Sequence, residues 1–219
     1  MAPTRRSPSR ADGVANRVKL IAAAETYFAE HGLDAPLQGI ADAAGVGVGT
    51  LYRNFSSHED LVEALFDRIR NSFAEIAAVA AAQATGWEAI EHFLRQSVLF
   101  LLDNPATSEI MRRQAENNPT NKAGSGWVEP LSEFVERAQR EGSARPDLVG
   151  QDLSAAPLAL GSLQNFKPEE RREIASRMVT LMLDGMRAHP HAPTTLPGSE
   201  PVGRRRVGTR IAGLAPTVA

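Results

Sequence analysis

The chain has 219 residues, a formal net charge of −2 at pH 7 and 42% hydrophobic residues, which is enough apolar material for one large or two small domains. It contains no cysteine, which excludes a disulfide framework, a thiolate zinc site and a cysteine nucleophile. The N-terminus lacks the apolar stretch of a signal peptide, and no uncharged apolar run approaches the roughly 20 residues that span a bilayer, so we expect a cytoplasmic protein without membrane segments.

Charge is distributed unevenly along the chain. Residues 1–19 hold five basic residues and one acidic residue, and residues 190–219 hold four and one, so the middle is acidic. Residues 1–12 and about 190–219 are rich in Pro, Ser, Thr, Gly and Arg without apolar periodicity, which predicts disorder. Basic ends on an acidic body suit contact with a polyanion, although solvated basic tails without a partner have the same composition.

The N-terminal third predicts three helices in succession. Ile21, Ala24 and Phe28 share one face of a first helix that stops at Gly32. Two short helices follow, and they are predicted to span Leu37–Ala44 and Val48–Asn54. The intervening segment is therefore a tight turn between helices.

Three glycines at two-residue spacing, Gly45, Gly47 and Gly49, raise the alternative of a phosphate-binding loop. A dinucleotide fingerprint follows a β-strand, whereas the residues before Gly45 have helical periodicity, and the Lys-Ser/Thr of a P-loop is missing. Gly45 is better explained as the residue that takes positive φ after a helix end.

Longer helices fill the rest of the chain. The fourth is predicted to start at Ser57, to be closed by a capping box with Asp60, and to run through Leu61 and Phe73 toward Ala84. The remaining predicted helices are Trp87–Leu102, Ala106–Glu116, Trp127–Glu141, Gly150–Gln164 and Pro168–Ala188. With about nine helices and no sustained β alternation, the fold class is all-α.

Residues 16–66 resemble the DNA-binding domain of the TetR/AcrR family of one-component bacterial regulators. The resemblance rests on three stretches, LIAAAETYFAEHG, IADAAGVGVGTLYRNF and SSHEDLVEALF. Weaker likeness of AQREGSARPDLVGQDLSAAPLALGSL and MVTLMLDGMRA points to an actinobacterial-type regulatory domain. It implies a basic arm and helix-turn-helix domain over residues 1–57, a helical regulatory and dimerisation domain over 58–189, and a tail over 190–219.

The third helix has the properties of a recognition helix. Short residues at its start let the helix end lie deep in the major groove, and Arg53 can grip guanine O6 and N7 with two hydrogen bonds. The resemblance implies that Tyr52 holds a phosphate, although a core aromatic would have the same spacing, and Phe55 fits the core better. The expected DNA-binding residues are Gly47, Val48, Gly49, Thr50, Tyr52, Arg53, Asn54, His58 and Arg17.

The chain departs from the family pattern at three DNA-facing sites. Val48 replaces a commonly polar residue and can make only apolar contact, for example with a thymine methyl. The family often opens its second helix with Ser or Thr, whereas this chain has Ala35-Pro36 and thus no hydroxyl there. Where the family often has Lys, this chain has His58, which is mostly uncharged at neutral pH.

The resemblance also implies a homodimeric repressor that binds a palindromic double-stranded DNA operator and is released by an unknown small-molecule effector, without a cofactor or metal. The fourth helix is the expected lever between body and DNA. Dimer contacts are expected on the last two helices, at Leu153, Leu160, Met178, Leu181, Met182 and Met186. Effector contacts are expected from Trp87, Phe93, Gln96, Phe100, Met111, Trp127, Phe134 and Gln164, although Trp87 and Trp127 fit the core better than a pocket.

Two other classes of protein compete with this interpretation. An enzyme would need a base near a nucleophile or paired carboxylates, and here the acidic residues are spread along helix faces. A module that binds only a partner protein would keep the long helices but would not need the basic arm or the glycine-opened third helix. DNA binding with a steep salt dependence distinguishes these classes.

Overall fold

A computed structural model of the chain describes residues 10–117, 125–189 and 196–197, and it leaves the side chains of residues 10–12, 125–128, 162, 164, 165 and 168 undescribed. This part of the chain holds no β-strand, only one isolated bridge between Ala144 and Arg187. The all-α prediction is confirmed. The helices are α1 (Arg10–His31), α2 (Leu37–Ala43), α3 (Val48–Asn54), α4 (His58–Ala81), α5 (Gly86–Asp103), α6 (Thr107–Asn117), α7 (Ser125–Arg140), α8 (Gly150–Ala159) and α9 (Pro168–Met186).

Most helix ends lie within two residues of the predicted ones, and three differ by more. Helix α1 begins at Arg10, inside the segment predicted to be disordered. Helix α4 ends at Ala81 rather than Ala84, because the chain must become extended at Thr85 to cap α5. Helix α8, which contains Pro157, ends at Ala159, and the chain continues as a 3₁₀ turn over Leu160–Asn165.

Helices α1, α2 and α3 surround a small core. Phe28, Ile40, Ala41 and Leu51 are buried as predicted, with Val46 partly buried beside them. The turns after α1 and α2 depend on glycines in the left-handed region, Gly32 at φ 81° and Gly45 at φ 66°. Gly45 is therefore the turn residue between α2 and α3, as the sequence predicts.

Helix α4 connects this three-helix head to the rest of the molecule. Its 24 residues correspond to about 36 Å of helix. The Ser57 hydroxyl accepts from the Asp60 backbone N–H at 3.1 Å. The Asp60 carboxylate accepts from the Ser56 N–H at 2.7 Å rather than from Ser57, so the predicted capping box is displaced by one residue. Buried residues continue from Leu61 to Ala80, so one helix packs in both regions.

Helix α5 lies at the centre of the body and packs against α4, α7, α8 and α9. Its start is capped by the Thr85 hydroxyl and by Glu88 in a complete capping box. At Gly86 the backbone of α5 lies directly against that of α7, and a methyl group there would overlap the backbone at Ala138. The Gly86 N–H donates to the Glu141 carboxylate at 2.9 Å, which ties the start of α5 to the end of α7.

Candidate DNA-binding surface and body cavity

Helix α3 presents one buried face and one exposed face. Leu51 and Phe55 are fully buried, whereas Tyr52 is 56% exposed and Val48 is 37% exposed. The alternative that Tyr52 is a core aromatic is therefore wrong, and the interpretation of Phe55 as a core residue is confirmed. Gly47, Gly49 and Arg53 lie on the exposed side as well. The exposed face thus carries five of the nine residues that the sequence assigns to DNA, while Thr50 and Asn54 on the same helix are half-buried.

The polar side chains of α3 bond along their own helix. The Arg53 Nε donates to the Gly49 carbonyl at 3.0 Å, and its Nη2 donates to the Thr50 hydroxyl at 3.0 Å. The Asn54 amide donates to the Thr50 carbonyl at 2.8 Å. These bonds order the face, and Arg53 would exchange them for base contacts when it binds in a groove.

Arg17 has a structural contact that sequence reasoning missed. Its Nη1 donates to the Asn54 carbonyl at 2.7 Å, and its guanidinium lies 4.3 Å from the centroid of the Phe55 ring. It thereby satisfies a carbonyl at the C-terminal end of α3, where a cation is favourable. A basic residue 37 positions earlier gives no local signal of this contact.

His58 lies at the start of α4 against the α1 core. Its ring is tilted against Phe28 with centroids 5.4 Å apart. Both ring nitrogens are buried, and neither has a hydrogen-bond partner among the described residues. A phosphate contact by His58 would therefore need the side chain to rotate out, and the contact stays a prediction.

Helix α6 makes a second connection between body and head. The Arg113 Nη1 lies 2.6 Å from the Asp34 carboxylate in the α1–α2 turn, and its Nη2 lies 4.0 Å from Glu59 on α4. The Arg113 guanidinium lowers the pKa of Asp34 below its ordinary range, chiefly through the hydrogen bond. The two partners are 79 positions apart, so no local pattern in the sequence indicates the pair.

A cavity of about 430 Å³ opens in the body between α4, α5, α6, α7 and α8. Of the predicted effector residues, Phe93 and Met111 line it, and so does Phe73, which the sequence places where α4 packs into the body. The further lining residues, which the sequence did not indicate, are Ser108, Arg112, Ala115, Leu131, Ser154, Ala155, Pro157 and Leu158.

The other predicted effector residues do not line this cavity. Trp87 is buried at the start of α5 beneath the Arg187 guanidinium, 4.2 Å from its ring centroid. Phe100 packs edge-on against Phe73, with centroids 5.3 Å apart. Gln96 is exposed, and Phe134 lines a separate groove between α4 and α7. The side chains of Trp127 and Gln164 lie outside the described residues.

The residues predicted for dimer contact separate into two groups. Leu153 is fully buried and Leu160 is 8% exposed, so both belong to the core of the protomer. For these two residues the prediction of a surface role is wrong, because the inward face of α8 packs on α5 and α7. Leu181 on α9 is 61% exposed. Met178, Met182 and Met186 are partly buried.

Neither a membrane-spanning helix nor a cluster of metal-ligating side chains is found among the described residues. None of their helices is long and apolar enough to cross a membrane. No group of three or more His, Asp or Glu side chains among them is placed to hold a metal ion.

The exposed, glycine-opened α3 on a three-helix head, joined by α4 to a helical body, defines a helix-turn-helix DNA-binding protein. Residues 20–65 match the family described as bacterial regulatory proteins, tetR family. Residues 85–188 match the transcriptional regulator SbtR-like C-terminal domain. The chain belongs to the tetR family, and it is a DNA-binding transcriptional regulator.

Known proteins resemble the chain over most of its folded length. It is 32% identical over 145 residues to the HTH-type transcriptional repressor KstR2 of Mycolicibacterium smegmatis, a match that covers 60% of this chain and 69% of the relative. The structure of TetR transcriptional regulator SCO0520 from Streptomyces coelicolor is 32% identical with a TM-score of 0.57, covering 78% of this chain and 98% of that one. CprB from S. coelicolor A3(2) has a TM-score of 0.63 at 19% identity, with 81% and 91% coverage, and shows the shared fold.

Proposed function

We propose that the chain is a homodimeric repressor that binds a palindromic operator and releases it when a small, largely apolar molecule enters the body cavity. The observation that carries the DNA half of this proposal is the α3 face, where Tyr52 and Arg53 are exposed while Leu51 and Phe55 anchor the helix from behind. The KstR2 relative of Mycolicibacterium smegmatis is a repressor, which supports repression over activation. The proposed residues of contact are those predicted from the sequence.

Two copies are needed because one recognition helix reads too few base pairs to be specific. A two-fold axis places two copies of α3 in half-sites one helical turn apart, about 34–36 Å. We place the dimer contact on α9, where Leu181 is exposed and Met178, Met182 and Met186 are partly buried. The domain division at residues 57 and 189 and a cytoplasmic location complete this proposal.

Selection of bound sequences from random DNA tests the DNA half. The expected result is a palindrome whose half-site centres lie about one helical turn apart, together with a dimer in sedimentation at micromolar concentration. A selected site without two-fold symmetry, or a monomer that binds with full affinity, would contradict the proposal. Leu181→Glu is expected to dissociate the dimer, and the matched change Leu99→Glu on α5, at a side chain that is 37% exposed, is the control.

The cavity suits an apolar ligand with a polar end. Phe73, Phe93 and Leu131 form apolar wall, while Ser108 and Ser154 offer hydroxyls. Arg112 contributes the charged group of the lining, and the carboxylates of Glu109 and Glu116 raise its pKa, so it stays protonated.

Helix α6 contacts both the cavity and the head. We propose that it couples ligand binding in the cavity to the position of the head, in addition to the coupling proposed for α4. Consecutive residues face the two sites, because Arg112 lines the cavity and Arg113 binds Asp34 of the head. A ligand that moves α6 would therefore change the contact that orients the head. Only a ligand with different affinity for the two orientations can shift them, and a change from 1:99 to 99:1 requires about 5.5 kcal/mol.

Exchanging the charges of Arg113 and Asp34 tests whether α6 couples effector binding in the cavity to the orientation of the head. Arg113→Asp alone places like charges against Asp34 and is expected to uncouple effector from DNA. The double change Asp34→Arg with Arg113→Asp restores opposite charges and is expected to recover most of the response to a ligand found by thermal-shift screening. Equal responses in parent, single and double variants would exclude α6 as the transmitting element, and operator binding without effector serves as the control for folding.

Catalysis is not part of the proposed function. Many of the described acidic side chains pair with arginines along helix surfaces, for example Glu91 with Arg95 and Asp67 with Arg70. A module that binds only protein would show no salt-dependent DNA affinity. A linear fall of log K with log salt concentration is the expected result for the regulator.

A further inference from the structure

Tyr27 on α1 and Gly39 on α2 form a close contact in the DNA-binding head. The Tyr27 ring lies against the backbone of Gly39, and a methyl group at Gly39 would overlap both the hydroxyl oxygen and the ring carbon Cζ of Tyr27. Gly39 is the third residue of α2, which starts at Leu37. The absence of a side chain at Gly39 therefore lets a phenol hydroxyl from α1 lie at the first turn of α2.

The hydroxyl of Tyr27 is available to a ligand. Tyr27 is half-buried, and its hydroxyl has no hydrogen bond to the described residues and is not enclosed by them. His31 stacks on the ring at 4.2 Å between centroids, with 17° between the planes. The His31 Nδ1 lies 3.1 Å from the Tyr27 carbonyl oxygen. The stack holds the phenol in place from its outer side.

The start of α2 lacks the Ser or Thr hydroxyl that members of the tetR family often have there. The N-cap of α2 is Pro36, and no side chain caps the helix. In helix-turn-helix docking the helix before the recognition helix crosses the DNA backbone, and tyrosine hydroxyls are among the donors to backbone phosphates. We propose that the Tyr27 hydroxyl donates to a DNA phosphate beside α2, in place of the hydroxyl that Ala35-Pro36 cannot provide. This inference rests on the proposed docking of α3 in the major groove.

Both tyrosines of the chain, Tyr27 and Tyr52, then contact the DNA backbone from the head. They lie on different helices, Tyr27 on α1 and Tyr52 on α3, which precede and follow α2 in the chain. A phenol is a neutral donor, so it fixes the position of the head without releasing counterions, unlike a lysine or arginine. This property distinguishes a Tyr27 contact from a general electrostatic effect.

Tyr27→Phe is the direct test, because it removes the hydroxyl while the ring still packs on Gly39 and His31. Affinity for the selected operator is expected to fall about tenfold per half-site, as for loss of one hydrogen bond to a charged acceptor. Affinity for unrelated duplex DNA should fall as well, while the slope of log K against log salt concentration stays parental. Ser143→Ala, in the turn after α7, removes a hydroxyl that donates to the Ala138 carbonyl, and it is the matched control with parental DNA binding.

Gly39→Ala tests the placement from the other side. The added methyl should displace the Tyr27 ring and weaken DNA binding in the parent chain. In a Tyr27→Leu background the shorter side chain leaves room for the methyl, so Gly39→Ala should then have little further effect. Additive losses in this cycle would show that Gly39 acts on DNA binding independently of Tyr27.

Fluorine NMR gives a direct readout, because 3-fluorotyrosine labels two positions in this chain. Both resonances are expected to shift when operator DNA is added, and Tyr52→Phe assigns them. Parental affinity of Tyr27→Phe, or an unshifted Tyr27 resonance, overturns the inference. A lowered melting temperature with parental DNA affinity would overturn it too, because the hydroxyl would then support only the fold. If the parent protein binds no DNA, the proposed function is wrong. If the parent binds DNA and Tyr27→Phe binds it equally well, only this inference is wrong.

Discussion

The proposed DNA-binding face and the proposed effector cavity of this protein are built in opposite ways. The face is one side of α3, seven residues of continuous chain whose exposed side chains are set by helical periodicity. The cavity is lined by side chains from α4, α5, α6, α7 and α8, whose members are up to 85 positions apart, from Phe73 to Leu158. A continuous site can be interpreted from local sequence, whereas an assembled site depends on how helices pack.

The two regions also differ in what a substitution changes. Arg53 and Tyr52 are exposed, so we expect their removal to alter DNA recognition without a cost in core packing. Phe93 and Leu131 are buried, so the same side chains that would bind an effector also hold the body together. Tests of the face can use truncation, whereas tests of the cavity need substitutions that fill space at its exposed lining.

The largest expected effect is on the face. Arg53→Ala should weaken operator binding by about 1–3 kcal/mol per half-site and relax preference at one base position, because a guanidinium reads guanine with two hydrogen bonds. Competition binding against operators changed at single positions measures both. Arg140→Ala, at a side chain that is 70% exposed on α7, is the control for loss of an arginine. Parental affinity with parental base preference in Arg53→Ala would mean that α3 is not the reading element.

An effect of about tenfold is expected at the cavity. Ala115→Phe adds a ring to the lining from an exposed position on α6, so it should weaken the effector response at least about tenfold while operator affinity without effector stays parental. Fluorescence anisotropy of labelled operator, titrated with effector, measures both quantities. Ala84→Phe, exposed between α4 and α5, is the matched control. An unchanged effector response in Ala115→Phe would place the effector elsewhere.

Sequence reasoning reached different depths in the two regions for physical reasons. The helix order, the Gly45 turn and the head core around Leu51 follow from periodicity and turn chemistry, and the structure has them. In the cavity, two predicted residues, Phe93 and Met111, line the wall. Trp87 shares their apolar character but lies under Arg187, because helical spacing gives the face of a residue and not the neighbour that covers it.

Contacts between distant residues were beyond local patterns even in the head. Arg17 looks like part of a basic arm, yet its guanidinium closes the end of α3 through the Asn54 carbonyl. Arg113 reaches Asp34 across 79 positions. The overlap that a methyl at Gly39 would have with Tyr27 depends on the crossing of α1 and α2. Each of these needs the three-dimensional path of the chain.

A third prediction concerns the scaffold of the body. The Arg145 guanidinium and a backbone N–H from Leu196 bind Asp147, and they lower the pKa of this carboxyl from 3.8 to about 2. Because the folded-state pKa is below the unfolded one, this contact stabilises the protein fully above about pH 4 and loses its effect as the pH falls toward 2. Asp147→Asn should lower the free energy of unfolding by about 1–2 kcal/mol at pH 7, since it weakens the partner of a buried arginine.

Melting curves of parent and Asp147→Asn between pH 7 and pH 2 measure that contribution, which should correspond to a few degrees at neutral pH and vanish in acid. Operator affinity at pH 7 should be parental, because Asp147 lies in the turn between α7 and α8, far along the chain from the head. Asp184→Asn, which changes an exposed carboxylate on α9, is the control. A difference in melting temperature that persists at pH 2 would contradict the role given to the charged carboxylate.

The smallest expected effect separates stability from recognition at a single residue of the face. A methyl at Gly49 meets no atom within 4 Å in the free protein, so Gly49→Ala should stabilise α3 by about 0.5–1 kcal/mol through helix propensity. In the complex the same methyl would lie between the start of α3 and the base edges, so operator affinity should fall a few-fold while the melting temperature rises. Val79→Ala, at a side chain that is 51% exposed near the body end of α4, also improves helix propensity and should raise the melting temperature with parental DNA affinity. If Gly49→Ala gained stability and kept full affinity, the start of α3 would not approach the bases closely, and the reason for a glycine at this position would lie outside DNA recognition.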